Sequence, residues 1–150
     1  MKILLAYATY SSGTDLATQI VQEILQKQHN VVRKDIRTVS LNELENADVI
    51  LFASQSWRTR KGDGQHHEFF LDYIDSMQGK SLPEKRFAIV GLGDSAYTHF
   101  CGAVDVLESF VSQLGGNLLI PSLRIDGFYF SQQKNEDHIR DWTHSLQSVL

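Results

Sequence analysis

KILLAYATYSSGTDLATQIVQEIL, residues 2–25, changes its period halfway along. Ile3-Leu4-Leu5-Ala6-Tyr7 is an unbroken apolar run, which suits a strand covered on both faces. From Gly13 to about Gln28, Leu16, Ala17, Ile20, Val21, Ile24 and Leu25 recur at helical spacing. Between them lies a short polar turn. A buried strand feeding an amphipathic helix is the first half of a βαβ unit, and the question is whether the chain repeats it.

It does. Val31 to Ile36 reads as a second strand, and Leu41 and Leu44 mark a short helix. Asp48-Val49-Ile50-Leu51-Phe52-Ala53 is a third strand, followed by a helix with Phe69, Phe70, Tyr73, Ile74 and Met77 on one face, ending near Gly79. Phe87-Ala88-Ile89-Val90 is a fourth strand. Val104, Leu107, Phe110, Val111 and Leu114 place the next helix, closed by Gly115-Gly116. Leu118 to Ile125 is a fifth strand broken by Pro121, and Ile139, Trp142, Leu146 and Val149 give the last helix. The fold class is therefore α/β: a doubly wound five-stranded parallel sheet, order 2-1-3-4-5, in three layers, with residues 1–150 as a single domain.

Composition narrows the function classes. The sequence pI near 5.8 argues against nucleic-acid binding, whose domains run basic. A single cysteine, Cys101, excludes an intrachain disulfide. The apolar start is too short for a signal peptide or membrane span, so a soluble, cytoplasmic protein is expected.

In sheets of this order ligands sit beyond the carboxyl ends of the strands, which here means loops 8–14, 54–66 and 93–101. The first carries Thr9, Tyr10, Ser11, Ser12 and Thr14 around Gly13, at a helix start. A helix cap accounts for one of Ser11 or Ser12 but not for five hydroxyls, and unpaired helix N–H groups suit a phosphate. Neither a Walker loop nor GxGxxG is present. The second loop, QSWRTRKGDG (55–64), sets Gln55, Ser56 and Trp57 beside Arg58, Arg60 and Lys61. The third, GLGDSAYTHFCGAVD (91–105), holds Gly93, Asp94, Tyr97, Phe100 and Cys101. Two aromatics, Trp57 and Tyr97, leave adjacent strand ends beside a phosphate loop, an arrangement that could sandwich a flat ring with a phosphate tail.

At these residues the chain resembles the short-chain flavodoxins. GLGDSAYTHFCGAVD is very similar to the family's flavin loop, and LRIDG (123–127) and WTHSL (142–146) are similar too. The resemblance implies FMN as cofactor and single-electron transfer as activity. It implies an electron carrier rather than an enzyme, a monomer exchanging electrons with a flavodoxin reductase and other donor and acceptor proteins. The alternative is an FMN reductant dedicated to one partner enzyme, or a small FMN-dependent reductase. By the same resemblance Thr9 to Thr14 hold the phosphate, and Trp57 and Tyr97 cover the two faces of the isoalloxazine. Backbone groups near Arg58, Asp94 and Cys101 meet its polar edge, with Ser56 and Asp94 on the ribityl and pyrimidine side.

The chain also departs from the family. Its phosphate loop usually reads Thr/Ser-x-Thr-Gly-Asn-Thr, whereas here serine stands at 12 and glycine at 13. Gly13 is accordingly expected to absorb any special backbone conformation. Flavodoxins typically surround the ring with carboxylates, but Arg58, Arg60 and Lys61 are cations. Each unit charge about 8 Å from the ring is worth roughly 0.5–2 kcal/mol before screening, which predicts a raised flavin potential. Arg58 stands where the family often has glycine, whose peptide turns toward the flavin on reduction. A β-carbon there makes that turn costlier by about 1–2 kcal/mol. FYFSQQKNE (128–136) puts three aromatics in a row, either as a docking patch or tucked onto the sheet edge.

Two further readings are set aside. His66-His67-Glu68 diverge at a helix start and make a poor metal site. Cys101 has no visible partner for nucleophilic chemistry and reads as a buried thiol.

Overall fold

The computed structural model describes residues 1–10, 12–59 and 62–150, with the backbone alone for 58, 59 and 62–65. Strands β1 (Lys2–Ala8), β2 (Asn30–Asp35), β3 (Val49–Gln55) and β6 (Arg86–Gly93) form the parallel centre of the sheet. The fifth position is shared by β7 (Asn117–Leu118) and β8 (Leu123–Asp126), both paired with β6, so the order is 2-1-3-4-5 as expected. The break falls at Pro121, which has no N–H to give the ladder. The indole of Trp142 donates to the Pro121 carbonyl at 2.9 Å and so satisfies the interrupted backbone.

Strand alternation divides the core in two. Leu4, Ala6, Ile50, Phe52, Phe87 and Ile89 face one helical layer, packing with α3 (Glu68–Ser76) and α4 (Gly102–Gln113). Phe52 lies 5.5–5.9 Å from the rings of Phe70, Phe87 and Phe110, contacts worth about 0.5–1.5 kcal/mol each beyond burial. Ile3, Leu5, Val49, Leu51, Ala88 and Val90 face the other layer, α1 (Gly13–Leu25) and α5 (Gln132–Gln147). Helix α2 (Leu41–Asn46) begins at a capping box in which Ser40 and Glu43 satisfy each other's backbone N–H groups.

Several boundaries move. Helix α1 ends at Leu25 rather than near Gln28, and α3 ends at Ser76 rather than near Gly79. Ile36 leaves β2 to open a short 3-10 turn, Ile36–Thr38. β3 and β6 each run further toward the carboxyl edge than their apolar runs, ending at Gln55 and Gly93. The segment after β3, expected as a loop, contains an antiparallel pair: β4 (Trp57–Thr59) and β5 (Gly62–Gln65), with Trp57 opposite Gln65. Among the described residues no helix is long and apolar enough to cross a membrane.

Candidate functional site

β1, β3 and β6 end at the same edge, and the segments that leave them bound a cleft of about 640 Å³. Gly13, Gln55, Ser56, Trp57, Gly93, Asp94 and Tyr97, all named from the sequence, are brought together in its lining. Leu92, Ala96, Thr98, His99, Phe128 and Tyr129 complete the lining. The indole of Trp57 and the phenol of Tyr97 are 54% and 73% exposed, high for large aromatic side chains.

At the phosphate-loop end, Thr9 Oγ1 and Thr14 Oγ1 are buried and without a hydrogen-bond partner among the described residues. Ser12 does not cap α1; its hydroxyl meets the Tyr129 hydroxyl at 2.8 Å. Helix α1 therefore presents its first-turn N–H groups with no side-chain cap from Ser12. Gly13 does not take the special conformation assigned to it: it is the first helical residue, and Ser12 carries φ 11°. Space at this position is tight rather than closed: a Cβ would lie 3.3 Å from the Leu92 side chain and in ordinary contact, 3.5 Å, with Tyr129. Asp15, an anion in the same turn, is neutralised by Arg33 at 2.5 Å, and that bond holds its carboxyl below the ordinary range. Ser11, the remaining hydroxyl residue of this loop, lies outside the described residues, as do Arg60 and Lys61, and the Arg58 side chain is likewise not described.

Tyr10 stacks on His67 at 3.7 Å and tilts against Trp57 at 5.6 Å, and its phenol donates to Glu68 at 3.2 Å. Partial burial, then the Glu68 bond, raise its pKa. His67 is fully buried; its Nδ1 accepts the Phe69 N–H, which caps α3. Its pKa is pushed down to about 4 by burial, so the ring is neutral. No group of three or more His, Cys, Asp or Glu side chains is placed to hold a metal among the described residues.

Hydroxyls at the end of β3 and just beyond it tie the loops together. The Ser54 Oγ accepts the His67 N–H, and the Ser56 Oγ accepts the Ala103 N–H at the start of α4, both at 3.0 Å. Between them Gln55 is 8% exposed, and its Nε2 is buried without a partner among the described residues. In the third loop the Asp94 carboxylate accepts the Ala96 N–H, and Asp126 accepts the Ser95 N–H, each at 2.8 Å. Phe100 does not reach the cleft: its ring packs against the core, the favourable place for an unpaired apolar surface. Cys101 is buried, with its backbone in the left-handed region at φ 51°, and burial pushes its thiol up to about 12. Such a thiol stays protonated and unreactive, as expected. A Cβ on Gly93 would come within 2.8 Å of the Cys101 nitrogen, which is why glycine is needed there. The 128–130 aromatics divide: Phe128 is buried, Tyr129 half-exposed against the phosphate loop, and Phe130 is 88% exposed.

A sequence model of the family described as flavodoxin matches residues 5–142. A flavodoxin of Maridesulfovibrio salexigens is 32% identical over 143 residues, covering 94% of this chain and 93% of the relative. The structure of oxidised flavodoxin 2 from Bacillus cereus superposes with a TM-score of 0.89 at 26% identity, over the whole of both chains. In fold alone the chain is also similar to a Fusobacterium nucleatum flavodoxin bound to flavin mononucleotide, with a TM-score of 0.83 at 18% identity, over 98% of this chain and 97% of that one.

Proposed function

The chain belongs to the flavodoxin family, and we propose on that basis that it binds FMN in this cleft and carries single electrons between redox proteins. Supporting this most directly, Gln55 Nε2 in the lining of the aromatic-walled cleft, and Thr9 Oγ1 and Thr14 Oγ1 on either side of its Gly13, are buried donors without a partner among the described residues. Each such group costs about 1–3 kcal/mol until an acceptor reaches it. A phosphate tail and a ring with polar edges are chemically what they lack.

The loop Thr9, Tyr10, Ser11, Ser12, Gly13 and Thr14 would hold the phosphate with hydroxyls and first-turn N–H groups, without a lysine. Trp57 and Tyr97 would keep water from the two ring faces. Gln55, Ser56, Arg58, Gly93, Asp94 and Cys101 would meet its polar edge, mainly through the backbone, while Phe100 anchors that loop to the core. When bound, FMN supplies the one-electron chemistry. Residues 1–150 act in this reading as one domain and as a monomer, taking electrons from a flavodoxin reductase and passing them to acceptor proteins.

Titrating the apoprotein with FMN should quench flavin fluorescence with a Kd far below the millimolar range. The loaded protein should then accept electrons from an NADPH-dependent flavodoxin reductase and not from NADPH alone. Absence of submillimolar binding overturns the cofactor, and rapid direct NADPH oxidation overturns the carrier role.

A further inference from the structure

We propose that Tyr129 is a positioning residue for the phosphate end of the flavin, fixing the Ser12 hydroxyl so that the cleft prefers a phosphorylated flavin; this rests on the FMN reading above. The contact joins residues 117 apart in sequence: the Tyr129 and Ser12 hydroxyls meet at 2.8 Å. Each hydroxyl has one proton and two acceptor sites, so where Tyr129 donates, Ser12 keeps its own proton for a further acceptor. A phosphate seated on the N-terminus of α1 is such an acceptor. Hydrogen bonds in a chain polarise one another, which strengthens the second one.

The segment carrying Tyr129 is built to stay there. Gly127 turns the chain at φ 54° and donates its N–H to the Gly93 carbonyl at 2.8 Å. Asn135, only 7% exposed, donates to the carbonyls of Asp126, Gly127 and Phe128 at 3.1–3.2 Å. Phe128 is buried, and its ring meets Tyr129 edge-on at 5.1 Å. Gly13 lies directly beside the Tyr129 ring, where a Cβ would be in van der Waals contact at 3.5 Å. Tyr129 also lines the cleft, at the phosphate-loop end. Its neighbour Phe130 is almost fully exposed and lines none of the cleft, so exposure of this aromatic run does not explain the Tyr129 contact.

Fluorescence titration of four apoproteins with FMN and with riboflavin tests the assignment: wild type, Tyr129→Phe, Ser12→Ala and the double variant, with Phe130→Ala as a control. Tyr129→Phe keeps the ring and removes one hydroxyl. It should weaken FMN binding about three- to tenfold and leave riboflavin within about twofold. The double variant should bind FMN within about twofold of Ser12→Ala, because the two hydroxyls act as one unit. A merely structural role would weaken both flavins alike. Equal weakening of both, or an unchanged FMN Kd, overturns the assignment while leaving FMN binding by the wild type intact. A wild type that binds neither flavin overturns the FMN reading and this assignment with it.

Discussion

The imidazole of His67 serves two neighbours at once, accepting the Phe69 N–H through Nδ1 and stacking on Tyr10 of the segment between β1 and α1. The cap needs the neutral ring, whose Nδ1 keeps a lone pair, and burial supplies it by pushing the pKa down to about 4, against opposition from Asp35 and Glu68 and with help from Arg37. A histidine pKa depressed in the fold means that the unfolded chain binds the extra proton first as pH falls. The associated stability is therefore complete above about pH 6.5 and is lost progressively down to about pH 4, up to roughly 3 kcal/mol in all. His67→Asn keeps a capping acceptor and removes the titration. Its thermal midpoint should be lower than wild type at pH 7 but should fall much less between pH 6.5 and 4.5, measured by circular dichroism. Identical slopes in the two proteins would remove His67 from the acid response.

Elements differ in how openly the sequence declares them. β1, β3 and β6 are legible because continuous apolar runs have few alternatives to a strand buried on both faces. The β4–β5 pair is not, since Trp57 to Gln65 shows no period-2 apolar pattern and is joined through backbone hydrogen bonds. Tyr129 escapes for another reason: its partner Ser12 lies at the far end of the chain, beyond any local pattern. Phe100 misleads in the opposite sense, standing within a flavin-loop motif while its ring serves the core. Helix α2 is short enough to depend on its caps. The Glu43 carboxylate is pulled down to about 2 by Lys34 at 2.7 Å and by the Ser40 N–H. Its contribution is present above the usual carboxylate range and disappears as pH falls from about 4.5 toward 2. Ser40→Ala should cost about 1 kcal/mol in urea unfolding at pH 7. A change under about 0.3 kcal/mol would mean that α2 is held by packing of Leu44 alone.

At the scale of the molecule, the chain carries a formal net charge of −4, yet three cations, Arg58, Arg60 and Lys61, follow β3 closely in the sequence. The expectation for these cations is a raised flavin potential. Redox titration of Arg58→Glu/Arg60→Glu/Lys61→Glu should give a lower potential than wild type by on the order of 60 mV, the equivalent of about 1.4 kcal/mol for one electron. The shift should shrink as salt is added, because exposed charges are screened. An unchanged potential at low salt would show that the cluster does not sense the flavin.

The interrupted strand at Pro121 bears on how this protein lives at high concentration. A parallel sheet that ended in one long straight strand would offer a stranger a full row of unpaired amides and carbonyls. Here that border is cut into β7, two residues, and β8, four, with proline and an indole-capped carbonyl between them. Neither piece is long enough to template another chain, so the fold is protected from edge-to-edge aggregation along that border by its own broken outline.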